Sequence, residues 1–311
     1  MTSESRLLLL DTASLYYRAY FGVKESSPAA DGTPTNAIRG LSDMIATLVT
    51  RFEPTHLVCC WDNDWRPAFR TDAIPTYKSH RLIEGTTDKE DAPEDLNVQV
   101  PLLRRVIESV GIPVIGSDGY EADDVIGTYT AQYAGRVAVD VVTGDRDLFQ
   151  LIDDAAPVRV IYTAKAGVRD AEVLTQSSLH ERYGVPTGAA YADMATLRGD
   201  TSDGLPGVKG IGDKTAAALI ETYGTLAGVR AAVDNGNPEI KGARRKNLEA
   251  ASDYLDVAPK VVKVADDAPL PNIPVTLPRE IADPATLEEL IAAYGIENSV
   301  GRLLSALRLQ R

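Results

Sequence analysis

Cysteine, histidine, basic charge and long apolar runs are all in short supply in this chain of 311 residues. The two cysteines are adjacent, Cys59 and Cys60, inside the apolar run Leu57 to Trp61, so buried reduced thiols in a strand are expected rather than a disulfide framework. The histidines are His56, His80 and His180, and none lies among the acids, which argues against zinc or copper. The N-terminal apolar run, Leu7 to Leu10, is closed by Asp11 and is too short for a signal peptide or a membrane span. A cytoplasmic protein with no membrane partner is therefore expected. Lys and Arg number 32 against 45 Asp and Glu, a formal net charge of −13. That balance argues on its face against a polyanionic partner, but distribution matters more than the sum. No internal repeat or low-complexity tract is present, and a 44% hydrophobic content suffices for one large domain or two modest ones.

What the chain does have is acids placed beside apolar runs. Val137 to Val142 is short and β-branched, bounded by Gly135 and Gly144, and reads as a buried strand whose carboxyl end delivers Asp145 and Asp147. Glu121, Asp123 and Asp124 open a helical pattern carried by Val125, Ile126, Tyr129 and Tyr133. Acids in a first helical turn are favoured by the helix dipole, which explains that trio without a function. It does not explain the acids at the strand end, where packed like charges stay ionised together only with cations among them.

The same device recurs along the chain. Arg6 to Leu10 reads as a strand ending at Asp11, and Leu57 to Cys60 as a strand followed by Trp61 and Asp62. Helical patterns over Ser14 to Phe21, Ala37 to Val49 and Leu96 to Val110 alternate with these strands and with Ile112 to Ile115. Such alternation implies an α/β fold with a mostly parallel central sheet, in which the strand-end aspartates converge where ligands bind. Val158 to Tyr162 reads as the last core strand, and beyond it the chain becomes helical: Ser178 to Tyr183, Ala189 to Arg198, Thr215 to Tyr223 and Leu226 to Val233. Pro269 to Pro278 reads as an extended linker, followed by a helix from Ala285 to Tyr294 capped by Asp283 and Pro284.

Two stretches are suited to phosphates. Between Asp62 and Pro93, Trp65, Arg66, Phe69, Arg70, Tyr77, Lys78, His80 and Arg81 interleave rings with cations, as a single nucleic-acid strand requires, although a solvated excursion would look similar. Gly207, Gly210 and Gly212, flanked by Lys209 and Lys214, form a tight turn ahead of a helix start, which leaves backbone N–H groups free for a phosphate. Lys241, Arg244, Arg245 and Lys246 add a basic cluster that is either a further phosphate contact or an exposed helix face.

The candidate constellation is Asp11, Asp62, Glu121, Asp123, Asp124, Asp145, Asp147, Asp200 and Asp203. Oxygen-only ligands select hard ions, Mg²⁺ or Mn²⁺. A cluster of this size suits two ions roughly 4 Å apart, the arrangement used for in-line attack on phosphodiesters. If nucleic acid is the partner, binding should be strongly salt-sensitive.

Leu8-Leu9-Leu10-Asp11 with Tyr17-Arg18, Phe69-Arg70 with Tyr77-Lys78 and Arg81, Gly119-Tyr120-Glu121-Ala122-Asp123-Asp124, Thr143-Gly144-Asp145-Arg146-Asp147-Leu148, and Gly199-Asp200 through Gly212 together resemble the bacterial 5′-nuclease family. This is the flap-endonuclease-like family that includes the N-terminal domain of DNA polymerase I. The resemblance implies metal-dependent hydrolysis of 5′ ends and flaps in branched or nicked DNA, or RNA–DNA hybrids, by a nucleoid-associated monomer in replication and repair. It implies a nuclease core over residues 1–177 with an arch or clamp near 63–100, a helical DNA-binding region over 178–265, and a C-terminal extension over 266–311 that packs on the core. It implies that Lys78 polarises the scissile phosphate, that Tyr77 stacks on a base, and that Arg70 and Arg81 hold phosphates nearby. Arg18 and Arg66 would contact DNA, and the glycine hairpin with Lys209 and Lys214 would grip the duplex with help from K⁺. Asp11, Asp62, Glu121 and Asp123 or Asp124 are expected to build one metal centre, and Asp145, Asp147, Asp200 and Asp203 the other. The spacing from Asp62 to Arg70 is one residue longer than the family pattern, so Asp64 rivals Asp62 as a ligand. Nothing follows Arg311, so the chain is either a free-standing nuclease or a piece of a larger protein. The competing readings are a non-catalytic branched-DNA binder, and a phosphatase in which Asp145 is the nucleophile.

Overall fold

Leu7 to Leu10 are wholly buried, and their alternation shows why both faces of the sheet must be covered. Leu7 and Leu9 join one core cluster and Leu8 and Leu10 another, on opposite sides of the strand. The computed structural model describes residues 5–25 and 28–310. The strands are β1 (Arg6–Asp11), β2 (His56–Cys60), β3 (Val114–Ile115), β4 (Ala138–Thr143), β5 (Val158–Tyr162) and β6 (Glu172–Leu174). They form one sheet in the order β3-β2-β1-β4-β5-β6. All neighbours are parallel except β5 and β6. β6 corrects the expectation that β5 is the last core strand. It is a short antiparallel edge whose Glu172 is exposed, so it carries too little apolar pattern to be read as a strand.

Helices Asn36–Phe52 and Gln99–Val110 cover one face together with the C-terminal helices Pro284–Tyr294 and Glu297–Leu307. Helices Ala122–Tyr133, Gly188–Arg198 and Asp213–Tyr223 cover the other. The thiols of Cys59 and Cys60 are free and buried in β2, and burial pushes Cys59 up to about 12. Helix Ser252–Val262 went unread in the sequence because Pro259 lies inside it. Among the described residues, no helix is long and apolar enough to cross a membrane.

Between β2 and β3 the chain makes a long excursion with short helical elements: Ala68–Ala73, a 3-10 turn at Ser79–Arg81 and Glu94–Asn97. Arg70, only 2% exposed, fastens this excursion to the core. Its Nη1 and Nη2 donate to the two carboxylate oxygens of Asp124 at 2.7 and 2.6 Å, and its Nε donates to the carbonyl of Val261 at 3.1 Å. Asp124 also accepts from the N–H groups of Glu121 and Ala265 at 3.1 and 2.8 Å. One buried ion pair thus joins the excursion, the start of helix Ala122–Tyr133 and the segment that leaves helix Ser252–Val262. A third apolar cluster, with Ile74, Tyr77, Leu205, Ala258 and Val261, packs around the same junction.

Breaking a buried pair strands the partner's charge, so Asp124→Ala should lower the unfolding free energy by about 3–5 kcal/mol in urea denaturation. A loss under about 1 kcal/mol, the range of exposed pairs, would show that Arg70 is solvated some other way.

Candidate active site

The carboxyl ends of β1 and β4 lie side by side where the strand order reverses, the place at which open parallel sheets bind ligands. Asp11 ends β1 and caps the following helix, accepting from the Ser14 N–H at 3.0 Å. Its other oxygen accepts from the Thr143 hydroxyl at 2.6 Å, and that hydroxyl oxygen accepts from the Asp145 N–H at 2.8 Å. The Ser14 hydroxyl accepts from the Gly144 N–H at 2.9 Å. A side chain at position 144 would bring its Cβ to 2.7 Å from that hydroxyl, so the turn from β4 to Asp145 requires glycine. Thr143 and Ser14, the residues that aim Asp11 and Asp145, were not singled out in the sequence. Their signal was adjacency to the aspartates alone.

The acids at the start of helix Ala122–Tyr133 part company. Consecutive helical residues point about 100° apart, so Asp123 and Asp124 do not share a face. Asp123 lines a cavity with Asp11, Asp62, Glu121, Asp145 and Asp200. Asp124 does not line it, and both of its oxygens are engaged by Arg70 and backbone N–H groups. The expectation that Asp124 is an alternative to Asp123 in the cavity is therefore corrected. Asp62 also faces the cavity and accepts from the Ala122 N–H at 2.8 Å, whereas Asp64 accepts from the Arg66 N–H outside it.

The cavity measures about 520 Å³ and is crowded with like charge. Burial, reinforced by Asp62 and Asp145 and opposed by Thr143 and Ser14, pushes the Asp11 carboxyl up to about 7. Burial and the neighbouring Asp11, Asp145 and Glu121 hold Asp123 well above the usual carboxylate range. Asp147 is raised in the same way by burial and by Asp145, Asp203 and Asp200. Asp145 thus acts on both subgroups of acids. Burial also raises Asp62 and Asp203, against the pull of Lys78. Asp200 is the exception, because the hydroxyl and N–H of Ser202 outweigh its burial and hold it low. Among the described residues, no three of these acids converge as a ligand set. Several are turned toward protein donors. Glu121 receives Lys78 Nζ at 3.0 Å, Arg70 Nη1 at 3.4 Å and the Tyr77 hydroxyl at 3.0 Å, and Asp203 receives Arg81 Nη2 at 2.8 Å. An oxygen-only donor set in which Asp11 and Asp123 are buried among like charges fits hard divalent cations.

The expected phosphate contacts divide similarly. Lys78 and Arg81 line the cavity. Tyr77 is 4% exposed with its hydroxyl on Glu121, so its ring is not presented to a base, and Arg70 is not presented to a phosphate. Arg66 donates to the carbonyls of Tyr77 and Pro75 at 2.6 and 2.8 Å and shapes the loop instead. Arg18 is half-buried, and its Nε has no partner among the described residues. Tyr16, Trp61, Arg146 and Glu90 line the cavity without having been assigned a role from the sequence. Glu90 reaches it from the excursion, accepting from the Tyr17 hydroxyl at 3.4 Å.

The base of the excursion is interlocked with the loop that carries Asp200 and Asp203. The Lys78 N–H donates to the Asp203 carbonyl at 2.9 Å, and the Thr76 hydroxyl donates to the Gly204 carbonyl at 2.8 Å. A Cβ on Gly204 would lie 2.1 Å from the Thr76 carbonyl. In the adjoining hairpin, Gly207 and Gly210 are left-handed, with φ of 62° and 75°, and Gly212 is an extended N-cap of helix Asp213–Tyr223. Buried Val208 and Ile211 anchor the turn, while Lys209 and Lys214 are exposed. Asn247 Nδ2 donates to the Lys209 carbonyl at 2.8 Å and ties the hairpin to helix Gly242–Ala250. Arg245 on that helix is engaged with the carbonyls of Ile240, Val233 and Asn237, which leaves Lys241, Arg244 and Lys246 on its surface.

Comparison with known proteins agrees with this geometry. The family described as 5′-3′ exonuclease, N-terminal resolvase-like domain, matches residues 6–184, and the 5′-3′ exonuclease C-terminal SAM fold matches residues 186–285. A 5′-3′ exonuclease of Streptomyces coelicolor is 54% identical over 96% of this chain and 99% of its own length. DNA polymerase I of Bacillus caldotenax is 35% identical over 86% of this chain, which corresponds to 29% of the polymerase. In fold, the chain is similar to the D15 flap endonuclease of bacteriophage T5, solved as a pseudo-enzyme-product complex with DNA and metal ions. The TM-score is 0.65 at 18% identity, covering 97% of this chain and 99% of that one. The carboxylate cavity at the switch point of a parallel sheet, the glycine hairpin and these matches lead to one conclusion: the chain belongs to the 5′-3′ exonuclease family and is a nuclease of the hydrolase class.

Proposed function

We propose that this nuclease cuts 5′ flaps and 5′ ends of branched or nicked DNA, and the RNA–DNA hybrids of the same shape, as a monomer dependent on Mg²⁺ or Mn²⁺. The observation that carries the reading is the cavity itself, in which Asp11, Asp62, Asp123 and Asp145 face Lys78 and Arg81 across a space of about 520 Å³. The carboxylates hold cations on one side, and the basic side chains of the excursion receive the phosphate on the other. Bound divalent ions supply activation of water and neutralisation of charge on the phosphate. The protein's own residues do the positioning. Thr143 and Ser14 fix Asp11 and the turn to Asp145, while Asp200 and Asp203 are carried on the loop interlocked with Lys78.

Lys78 is the residue we assign to the scissile phosphate, with Arg81 and Arg18 holding phosphates beside it. The 5′ single strand runs under the excursion past Tyr16, Tyr17 and Trp61, and the duplex rests on the hairpin. The N–H groups of Gly210 and Gly212 donate to nothing among the described residues, which suits a backbone phosphate, with K⁺ as an auxiliary ion there. The T5 enzyme was solved with DNA and metal ions, which supports the same partners for this chain.

Cleavage assays test the assignment. An end-labelled duplex with a 5′ single-stranded flap should be cut near the junction with Mg²⁺ or Mn²⁺ and not with a chelator. Asp145→Asn should reduce cleavage on the order of 10²-fold or more while DNA binding persists, and unchanged cleavage would remove Asp145 from the centre.

The raised carboxyls have a thermodynamic sign. A carboxyl held protonated in the fold above the ordinary aspartate value of 3.8 costs stability as pH rises from that value through its folded one. Asp123→Asn should therefore raise the melting temperature in EDTA near neutral pH, by more than it does near pH ~4, and should shrink the further rise caused by Mg²⁺. A variant that melts lower than the parent in EDTA at neutral pH would show that Asp123 is not under like-charge strain.

For the hairpin, Lys209→Ala and Lys214→Ala should each weaken duplex binding irrespective of sequence and reduce the slope of log affinity against log salt by about 1. An unchanged slope would place the duplex elsewhere.

A further inference from the structure

Helices Asn36–Phe52 and Glu297–Leu307 both end on the side of the sheet opposite the carboxylate cavity, beside the loop that leads into β2. An open cavity of about 1370 Å³ lies between them. Clefts for small molecules usually measure roughly 300–1,000 Å³, so this one is sized for a segment of chain. Its floor is apolar, with Ala46, Val49, Leu277 and Leu307. Its charged lining is Arg51, Arg169, Arg302 and Arg308 against Asp43 and Glu53, a local positive excess in a chain of net charge −13.

Two of the arginines build the cavity. Arg51 donates to the carbonyls of Val168, Arg169 and Ala171 at 3.2, 3.0 and 2.9 Å, which fixes the loop between β5 and β6 at the rim. Arg302 donates through Nε and Nη2 to both oxygens of Asp43 at 2.8 Å, clamping the two helices together and neutralising that acid. The other two are surplus. Arg169 and Arg308 are exposed, and neither side chain has a hydrogen bond or ion pair among the described residues. Arg308 stands just past its helix at a φ of 60°, a left-handed position usually given to glycine, so a charged side chain is delivered where most helices have none. Cations near helix C-termini offset the helix dipoles. That accounts for Arg51, in a last turn, and for the position of Arg308 at a helix end, but not for Arg169, which comes from a loop.

We propose that this cavity docks an acidic segment of a partner protein, with its apolar side chains on the floor and its carboxylates on Arg169 and Arg308. A nucleic-acid strand fits less well, because among the described residues no aromatic ring lines the cavity to stack on bases, whereas an apolar floor suits side chains of a peptide. The surface is independent of DNA cleavage, since the hairpin and the catalytic carboxylates lie elsewhere.

The test uses the full chain and a fluorescein-labelled peptide of alternating glutamate and leucine, followed by anisotropy. Saturable binding is expected despite the like net charge, weakened by salt and not shared by a lysine–leucine peptide. The double variant Arg169→Glu/Arg308→Glu removes no internal bond, so it should fold and cut a 5′ flap like the parent while binding the peptide at least about tenfold more weakly. Absence of saturable binding, or equal binding by parent and double variant, would overturn the proposal. So would a loss of flap-DNA affinity in the double variant, which would make the surface a nucleic-acid contact.

Discussion

A guanidinium buried between carboxylates decides how the charge of this protein is divided. Arg70 takes both oxygens of Asp124 and lies 3.4 Å from Glu121. Removing such a pair from water costs several kcal/mol per ion, returned only when the geometry is good and the remaining acceptors are satisfied. Here Asp124 has two N–H donors besides Arg70, and Arg70 has the Val261 carbonyl. The pair turns Asp124 away from the cavity and leaves Asp123, its neighbour in sequence, facing Asp11 and Asp145.

The acids therefore fall into two populations. Asp124 is neutralised within the protein, as is Asp140, which is buried mid-strand between Arg6 and Arg159. Among the described residues Asp11, Asp123 and Asp147 have no cationic side chain bonded to them, and burial together with the neighbouring carboxylates raises all three. Glu121 and Asp203 stand between these extremes. They are bonded to Lys78 and Arg81, the side chains assigned to phosphate. The acids and the basic side chains of the excursion are thus in direct contact across the cavity.

Much of this was legible in the sequence, because strand ends and helix starts are local features. A β-branched run closed by Asp11 or by Gly144-Asp145 fixes which acids reach the carboxyl edge of a parallel sheet, and the glycine hairpin was visible from its spacing. The direction of individual side chains was not. Arg70 sits in a stretch that mixes rings and cations, so it resembled a phosphate contact. Its true partner lies 54 residues away and depends on how the excursion folds back. The divergence of Asp123 and Asp124 could have been anticipated, since adjacent helical residues never share a face. Tyr77 carried no such signal, because burial of a ring beside Glu121 is a tertiary fact. The edge strand β6 and helix Ser252–Val262 were missed for opposite reasons, one too short to show a pattern and the other interrupted by Pro259.

Asp124 also receives a donor from Ala265, 141 residues downstream. Val261, Ala265 and their neighbours are the last parts of the chain to reach this junction. The network that sets Asp124 apart from Asp123 therefore closes only when segments around residues 70, 124, 261 and 265 meet, so a local feature of one helix start is held by contacts that span almost two hundred residues of chain.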